Sequence, residues 1–142
     1  MNALDPITGA DFQRLAGIRL GEATTLRGSG QYEGAYYLTG YAVECALKAC
    51  ICARQQPGHF PPKEKVARDL YSHNLSTLLD LAGLKTAMDT AADATLKAYW
   101  NVAKDWSEQS RYNLPERQNA EQLYAAVADP RHGVLQWLRN YW

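Results

Sequence analysis

Residues 31–54 read QYEGAYYLTGYAVECALKACICAR, and this stretch decides the fold. Its apolar positions, Tyr32, Ala35, Tyr36, Thr39, Val43, Ala46, Leu47, Cys50 and Ile51, recur at helical spacing and make one broad face. The opposite side is not a row of charges, because it carries Tyr37, Tyr41, Ala42 and Cys45. A helix that is apolar nearly all round is buried on several sides, so this segment is expected to be the central helix of a bundle. Gly34 and Gly40 each weaken it by roughly 1 kcal/mol relative to Ala, and are expected to permit close helix contact.

Outward from that rod, every remaining segment reads as helix or connection. Thr8 and Asp11 have the spacing of a capping box and open a first helix over about Gly9–Leu26, with a stripe at Phe12, Leu15, Ile18, Arg19, Ala23 and Leu26. Gly28-Ser29-Gly30 closes it, with Ser29 placed to cap the next helix. Pro57-Gly58 stops the central helix, and a charged loop runs from Lys63 to Asp69. A short third helix is expected over Asn74–Leu81, with Leu75, Leu78 and Leu79 inward and Gly83 at its C-terminal end. A fourth runs over Thr86–Lys104 on Met88, Ala92, Leu96, Tyr99, Trp100 and Ala103. A fifth starts at Pro115, with Ala120, Leu123, Tyr124 and Val127 inward, and is kinked or restarted at Asp129-Pro130. No run alternates with period two for long enough to suggest a strand. The fold expected is an all-α, up-and-down-like bundle of about five helices in one domain, residues 1–142.

Composition agrees with a packed core, with 46% of residues aliphatic, aromatic or Cys. The chain has 15 basic and 15 acidic residues, so it lacks the global field that draws proteins onto nucleic acid or anionic lipid; local basic patches stay open. Met1–Ala10 carries no apolar signal-peptide core. The most apolar run, Ala42–Ala53, is interrupted by Glu44 and Lys48 and is too short for a bilayer. Cys45, Cys50 and Cys52 share one helix. An odd, clustered set without a secretion signal reads as reduced core thiols in the cytoplasm; a zinc site there lacks a completing His or Asp.

Few residues suggest chemistry. Glu44 and Lys48, at i and i+4, read either as a surface ion pair or as a polar island on a buried helix that needs a partner or ligand. Arg111 is the outside partner expected for Glu44, by bidentate pairing. Trp106, Arg111 and Tyr112 could stack on a base and contact a phosphate, or simply lid the core. His73 can hold a turn through its ring nitrogens; His59 and His132 read as surface residues. Metal, nucleophilic-triad and phosphate-loop motifs are absent from the sequence, and no metal or other cofactor is expected.

The run Gly34-Ala35-Tyr36-Tyr37-Leu38-Thr39-Gly40-Tyr41-Ala42-Val43-Glu44-Cys45-Ala46-Leu47-Lys48-Ala49 resembles the signature helix of HEPN domains, the higher eukaryote and prokaryote nucleotide-binding family, of the type found beside minimal nucleotidyltransferases. Ser72-His73-Asn74-Leu75, Leu84 after Gly83, Trp106 through Arg111-Tyr112 and the final Gly133–Leu138 segment extend the likeness in order along nearly the whole chain. The resemblance implies a five-helix domain, commonly a homodimer, often paired with a nucleotidyltransferase. Many members are toxins that cut RNA without a metal, through an Arg followed four to six residues later by a His. This chain departs from that pattern, since no His follows Arg111 within six residues. Arg54 with His59, and Arg68 with His73, have the spacing elsewhere; the second pair, with Asp69 after its Arg, is the better candidate.

Two functions follow from that likeness. The first is a non-catalytic HEPN-like module that binds a nucleotide, RNA or a nucleotidyltransferase partner at Glu44, Lys48, His73, Arg111 and Tyr112. The alternative is a metal-independent endoribonuclease toxin of a toxin–antitoxin pair, with Arg68 and His73 as catalytic residues. A third, purely structural role is a homodimer closed by Trp137, Tyr141 and Trp142.

Overall fold

A computed structural model describes residues 7–54 and 71–142. Among these, the chain forms seven α-helices and one 3-10 turn, with no strand. They are α1 (Gly9–Gly28), α2 (Tyr32–Arg54), α3 (Leu75–Leu81), α4 (Lys85–Asp89), α5 (Ala94–Ala103), the 3-10 turn Glu108–Tyr112, α6 (Arg117–Ala128) and α7 (Val134–Leu138). The all-α bundle expected from the sequence is what the chain adopts. The number of helices exceeds five because two expected helices are each broken in two.

Helix α2 is the axis. Every residue from Ala42 to Cys52 is buried, on all sides of the helix, and α1, α3, α6, α7 and the 3-10 turn all pack against it. Leu47 and Ile51, with Leu75, Leu78, Leu123 and Leu138 from its neighbours, are fully enclosed. Each such side chain contributes ~1.5–3 kcal/mol of apolar burial.

The glycines of α2 are used for close approach. A methyl at Gly34 would lie 2.9 Å from Leu26 Cδ1, so that side chain would have to shift to admit it. A methyl at Gly40 would fall inside the indole of Trp106. The close contact at Gly40 is therefore with a ring from the connection after α5, not with a second helix.

The ends of the helices follow local chemistry. Thr8 Oγ1 accepts from the Asp11 N–H at 3.2 Å, and Asp11 Oδ2 accepts from the Thr8 N–H at 2.9 Å, completing the expected box. Asn74 caps α3 by accepting from the Thr77 N–H at 2.9 Å. Gly83, at φ +72°, turns the chain after α3, where the guanidinium of Arg54 covers it and donates to the Leu81 carbonyl at 3.1 Å.

Four expectations are corrected. The single helix over Thr86–Lys104 is interrupted at residues 90–93. Thr90 Oγ1 donates back to the Thr86 carbonyl, and Asp93 caps a new helix by accepting from the Leu96 N–H at 3.0 Å. Ala92 is consequently exposed rather than inward. In α1 the buried positions are Gly9, Phe12, Ala16 and Ala23, while Ile18 is 45% exposed. Ser29 closes α1, its hydroxyl donating to the Thr25 and Leu26 carbonyls, instead of opening α2. Helix α6 begins at Arg117 rather than Pro115, where Glu116 and Asn119 cap each other.

The break at Asp129-Pro130 is present. Asp129 Oδ1 accepts from the Arg131 and His132 N–H groups at 2.8 and 3.0 Å, turning the chain from α6 into α7.

Candidate functional site

The polar residues of α2 lie under the start of α3 and the 3-10 turn. Glu44 is 2% exposed and Lys48 7%, so the pair is a buried island and not a solvated surface bridge. Lys48 Nζ donates to Glu44 Oε2 at 3.1 Å. His73 stands just before the Asn74 cap of α3, and its Nδ1 lies 3.0 and 3.1 Å from the two Glu44 oxygens. The other ring nitrogen, Nε2, lies 3.2 Å from Glu108 Oε2. The result is one chain of contacts, Lys48–Glu44–His73–Glu108, running from the core to the surface. It joins α2 to the α3 cap and the 3-10 turn.

That geometry satisfies the cost of burying charge. An isolated carboxylate inside a bundle is strongly unfavourable, and becomes tolerable when paired and hydrogen-bonded. Both oxygens of Glu44 are occupied, and its ammonium partner is next to it on the same helix. The sequence placed Glu44, Lys48 and His73 in one polar hollow, and the structure brings these three together. Glu108 is the member that sequence reasoning missed. Its only local signal is position: Ser107 caps the 3-10 turn by accepting from the Gln109 N–H at 3.1 Å, which sets Glu108 at the start of that turn.

The remaining sequence candidates lie at the margin or beyond it. Tyr112 ends the 3-10 turn and is 75% exposed. Arg111 is in the same turn, but its side chain falls outside the described residues, and with it the expected pairing to Glu44. The partners found on Glu44 are Lys48 and His73. Arg68, Asp69 and His59 also fall outside the described residues.

Aromatic rings flank the cluster along α2. Tyr37 meets Tyr41 edge-on at 5.9 Å between centroids, and lies 6.0 Å from Trp106. Trp106 is 3% exposed, as expected of a ring that lids the core. Burial pushes the Tyr41 hydroxyl above its ordinary pKa, with the nearby Cys45 and Glu44 adding to the effect. Two buried polar atoms, Trp106 Nε1 and Ser110 Oγ, have no hydrogen-bond partner among the described residues.

Comparison of the chain with protein-family models, with curated proteins and with solved structures finds no match.

Three thiols and one further histidine lie among the other described residues. Cys45, Cys50 and Cys52 are free and buried, as the sequence suggested. Burial pushes Cys45 and Cys50 up to about 12 and Cys52 up to about 11, so they are core side chains without nucleophilic character. No group of three or more His, Cys, Asp or Glu among the described residues could hold a metal ion. None of the described helices is long and apolar enough to cross a membrane. His132 is at the surface, as expected, yet it has a specific partner: its Nδ1 lies 2.7 Å from Asp93 Oδ2, tying the α6–α7 turn to the cap of α5. That contact holds the Asp93 carboxyl below its usual range. At the C-terminus Trp137 and Trp142 pack partly against the core, while Tyr141 is 40% exposed and lies 5.0 Å from Trp137.

Proposed function

We propose that this chain is a HEPN-like binding module without a catalytic role of its own, which acts by engaging a nucleotide, RNA or a nucleotidyltransferase-type partner, as a homodimer. The observation that carries this reading is the position of His73 between two carboxylates. Each ring nitrogen faces an oxygen, Glu44 on one side and Glu108 on the other. A general base must offer a nitrogen lone pair to the reacting hydroxyl; here Nδ1 faces the Glu44 carboxylate, and a Glu108 oxygen lies 3.2 Å from Nε2, where a substrate hydroxyl would have to come. The cluster instead ties the α3 cap and the 3-10 turn to α2, which sets the position of Arg111 and Tyr112 on that turn. Those two residues and the exposed edge of His73 are the surface we assign to the ligand or partner.

The test is a thermal-shift series with nucleotides on the purified chain, together with a pull-down against a nucleotidyltransferase encoded beside it. Stabilisation by either supports the reading, since a ligand that binds only the folded state raises its apparent stability. A flat series with no partner retained would contradict it.

One observation favours a second reading. His73 is 41% exposed on its side chain and is oriented by a carboxylate that is almost wholly buried, and orientation of this kind also serves acid–base catalysis. With Arg68 as the phosphate ligand, the chain would then be a metal-independent endoribonuclease toxin. Expression would arrest growth, and His73→Ala would abolish the arrest.

A further inference from the structure

A groove separate from the Glu44–His73 chain runs between the first turns of α2, the end of α5, the 3-10 turn and α6. It consists of two adjoining cavities of about 320 and 240 Å³ that share Tyr36, Asp105 and Asn119. Together they reach the size of small-ligand sites. The first cavity adds Asn101 and Gln122, and the second adds Ser110. Amide, carboxylate and hydroxyl groups therefore converge from four elements onto one concavity.

Two observations point to a ligand. Ser110 is 4% exposed, and its hydroxyl is the one buried side-chain oxygen without a hydrogen-bond partner among the described residues. A buried hydroxyl left unpaired is unfavourable, and in a native fold such a group calls for a specific explanation. Ser110 forms part of the groove wall, where a bound molecule would supply the missing partner after a small shift of the turn. The second observation is charge. Asp105 borders both cavities and acts electrostatically on the Tyr36 phenol, which burial and that carboxylate together hold above its ordinary pKa. That carboxylate and the amide oxygens of Asn101, Asn119 and Gln122 offer acceptors to hydroxyl and amino donors, and the carboxylate disfavours a phosphate beside it.

We infer that this groove binds a small uncharged ligand rich in hydroxyl or amino donors, a sugar or an unphosphorylated nucleoside. Asp105 and the amide oxygens accept from its donors, the amide N–H groups of Asn101 and Gln122 return hydrogen bonds to its oxygens or ring nitrogens, and Ser110 gains its partner. This inference is independent of whether His73 moves a proton.

The experiment is a titration of the full chain, labelled with nitrogen-15, with guanosine, adenosine, ribose, glucose and the two nucleoside 5′-monophosphates, reading the side-chain amide signals of Asn101, Asn119 and Gln122. The expected result is saturable shifts with a nucleoside or a sugar, and weaker binding of the matching monophosphate. The arm that responds identifies the source of the ligand. The double variant Asn101→Ala/Gln122→Ala, at two exposed positions, should bind roughly tenfold more weakly, as for the loss of one or two hydrogen bonds. Ser110→Ala should weaken binding while leaving the melting temperature unchanged or raised. No shift with any probe at millimolar concentration would overturn the inference. So would a monophosphate binding as tightly as its nucleoside, or Ser110→Ala lowering the melting temperature without touching affinity.

Discussion

The indole of Trp106 lies directly against the backbone of Gly40, in space that any side chain at that position would occupy. The two stand 66 positions apart in the sequence, yet they set the distance between α2 and the connection that carries the 3-10 turn. Gly40→Ala brings two opposed effects. Helix propensity favours Ala by ~1 kcal/mol, while overpacking a buried contact costs ~1–3 kcal/mol or more. Overpacking should win, because Trp106 is 3% exposed and has no free space to retreat into. Urea unfolding should show Gly40→Ala to be less stable than the parent chain.

Removing one member of the buried pair should cost more than removing both. Glu44→Gln leaves the Lys48 ammonium buried without its counter-charge, at a cost of ~3–5 kcal/mol. The double variant Glu44→Gln/Lys48→Met removes the uncompensated charge and should recover a large part of that loss. A double-mutant cycle in urea measures the coupling directly. Additive effects would mean that the two groups do not share one low-dielectric site.

The acid limb of stability should depend on the α5–α7 side of the bundle. The His132 hydrogen bond, and the N–H groups of Leu96 and Thr95, hold Asp93 below its ordinary pKa of 3.8. The N–H groups of His132 and Arg131 do the same for Asp129. A depressed carboxyl contributes stability that is complete above the unfolded-state value and is lost as pH falls through the folded-state value. Stability should therefore decline below about pH 4. Asp93→Asn should flatten that decline, as read from melting temperatures across an acid series.

At the alkaline end the buried thiols contribute, together with Tyr36 and Tyr41, whose hydroxyls burial also pushes up. Cys45 and Cys50 are pushed up to about 12 and Cys52 up to about 11 from the ordinary 9.0, all by burial. Their raised values contribute stability below pH 9 that is lost as pH climbs towards 12. In the folded chain at neutral pH, none should react with a thiol reagent on the timescale on which the denatured chain labels completely. Prompt native labelling of any of them would show that α2 is open to solvent there.

Most of the fold was legible because it is written in local signals. The Thr8–Asp11 box, the Gly83 turn and the all-round apolar character of Ala42–Cys52 each act within a few residues, and each is present in the structure. The interruption before Asp93 was less visible, because Ala-rich sequence on both sides favours helix and only the competition from one side chain breaks it. In α1, Ala16 is buried and Ile18 is 45% exposed, because residues two apart on a helix face nearly opposite ways. Glu44 and Lys48 could be grouped by their polarity against an apolar helix, whereas His73 joined them only through the family resemblance. Glu108 could not, because its pairing with His73 spans 35 positions and no spacing rule records it. The Asp93–His132 contact escaped for the same reason.

The most direct test of the proposed function is RNA integrity. The purified chain is incubated with total RNA in the presence of a chelator, beside His73→Ala. With Glu44 against one nitrogen of His73 and a Glu108 oxygen 3.2 Å from the other, the RNA should remain intact with either protein. Cleavage by the parent chain that disappears with His73→Ala would contradict the binding-module reading and establish His73 as a catalytic residue.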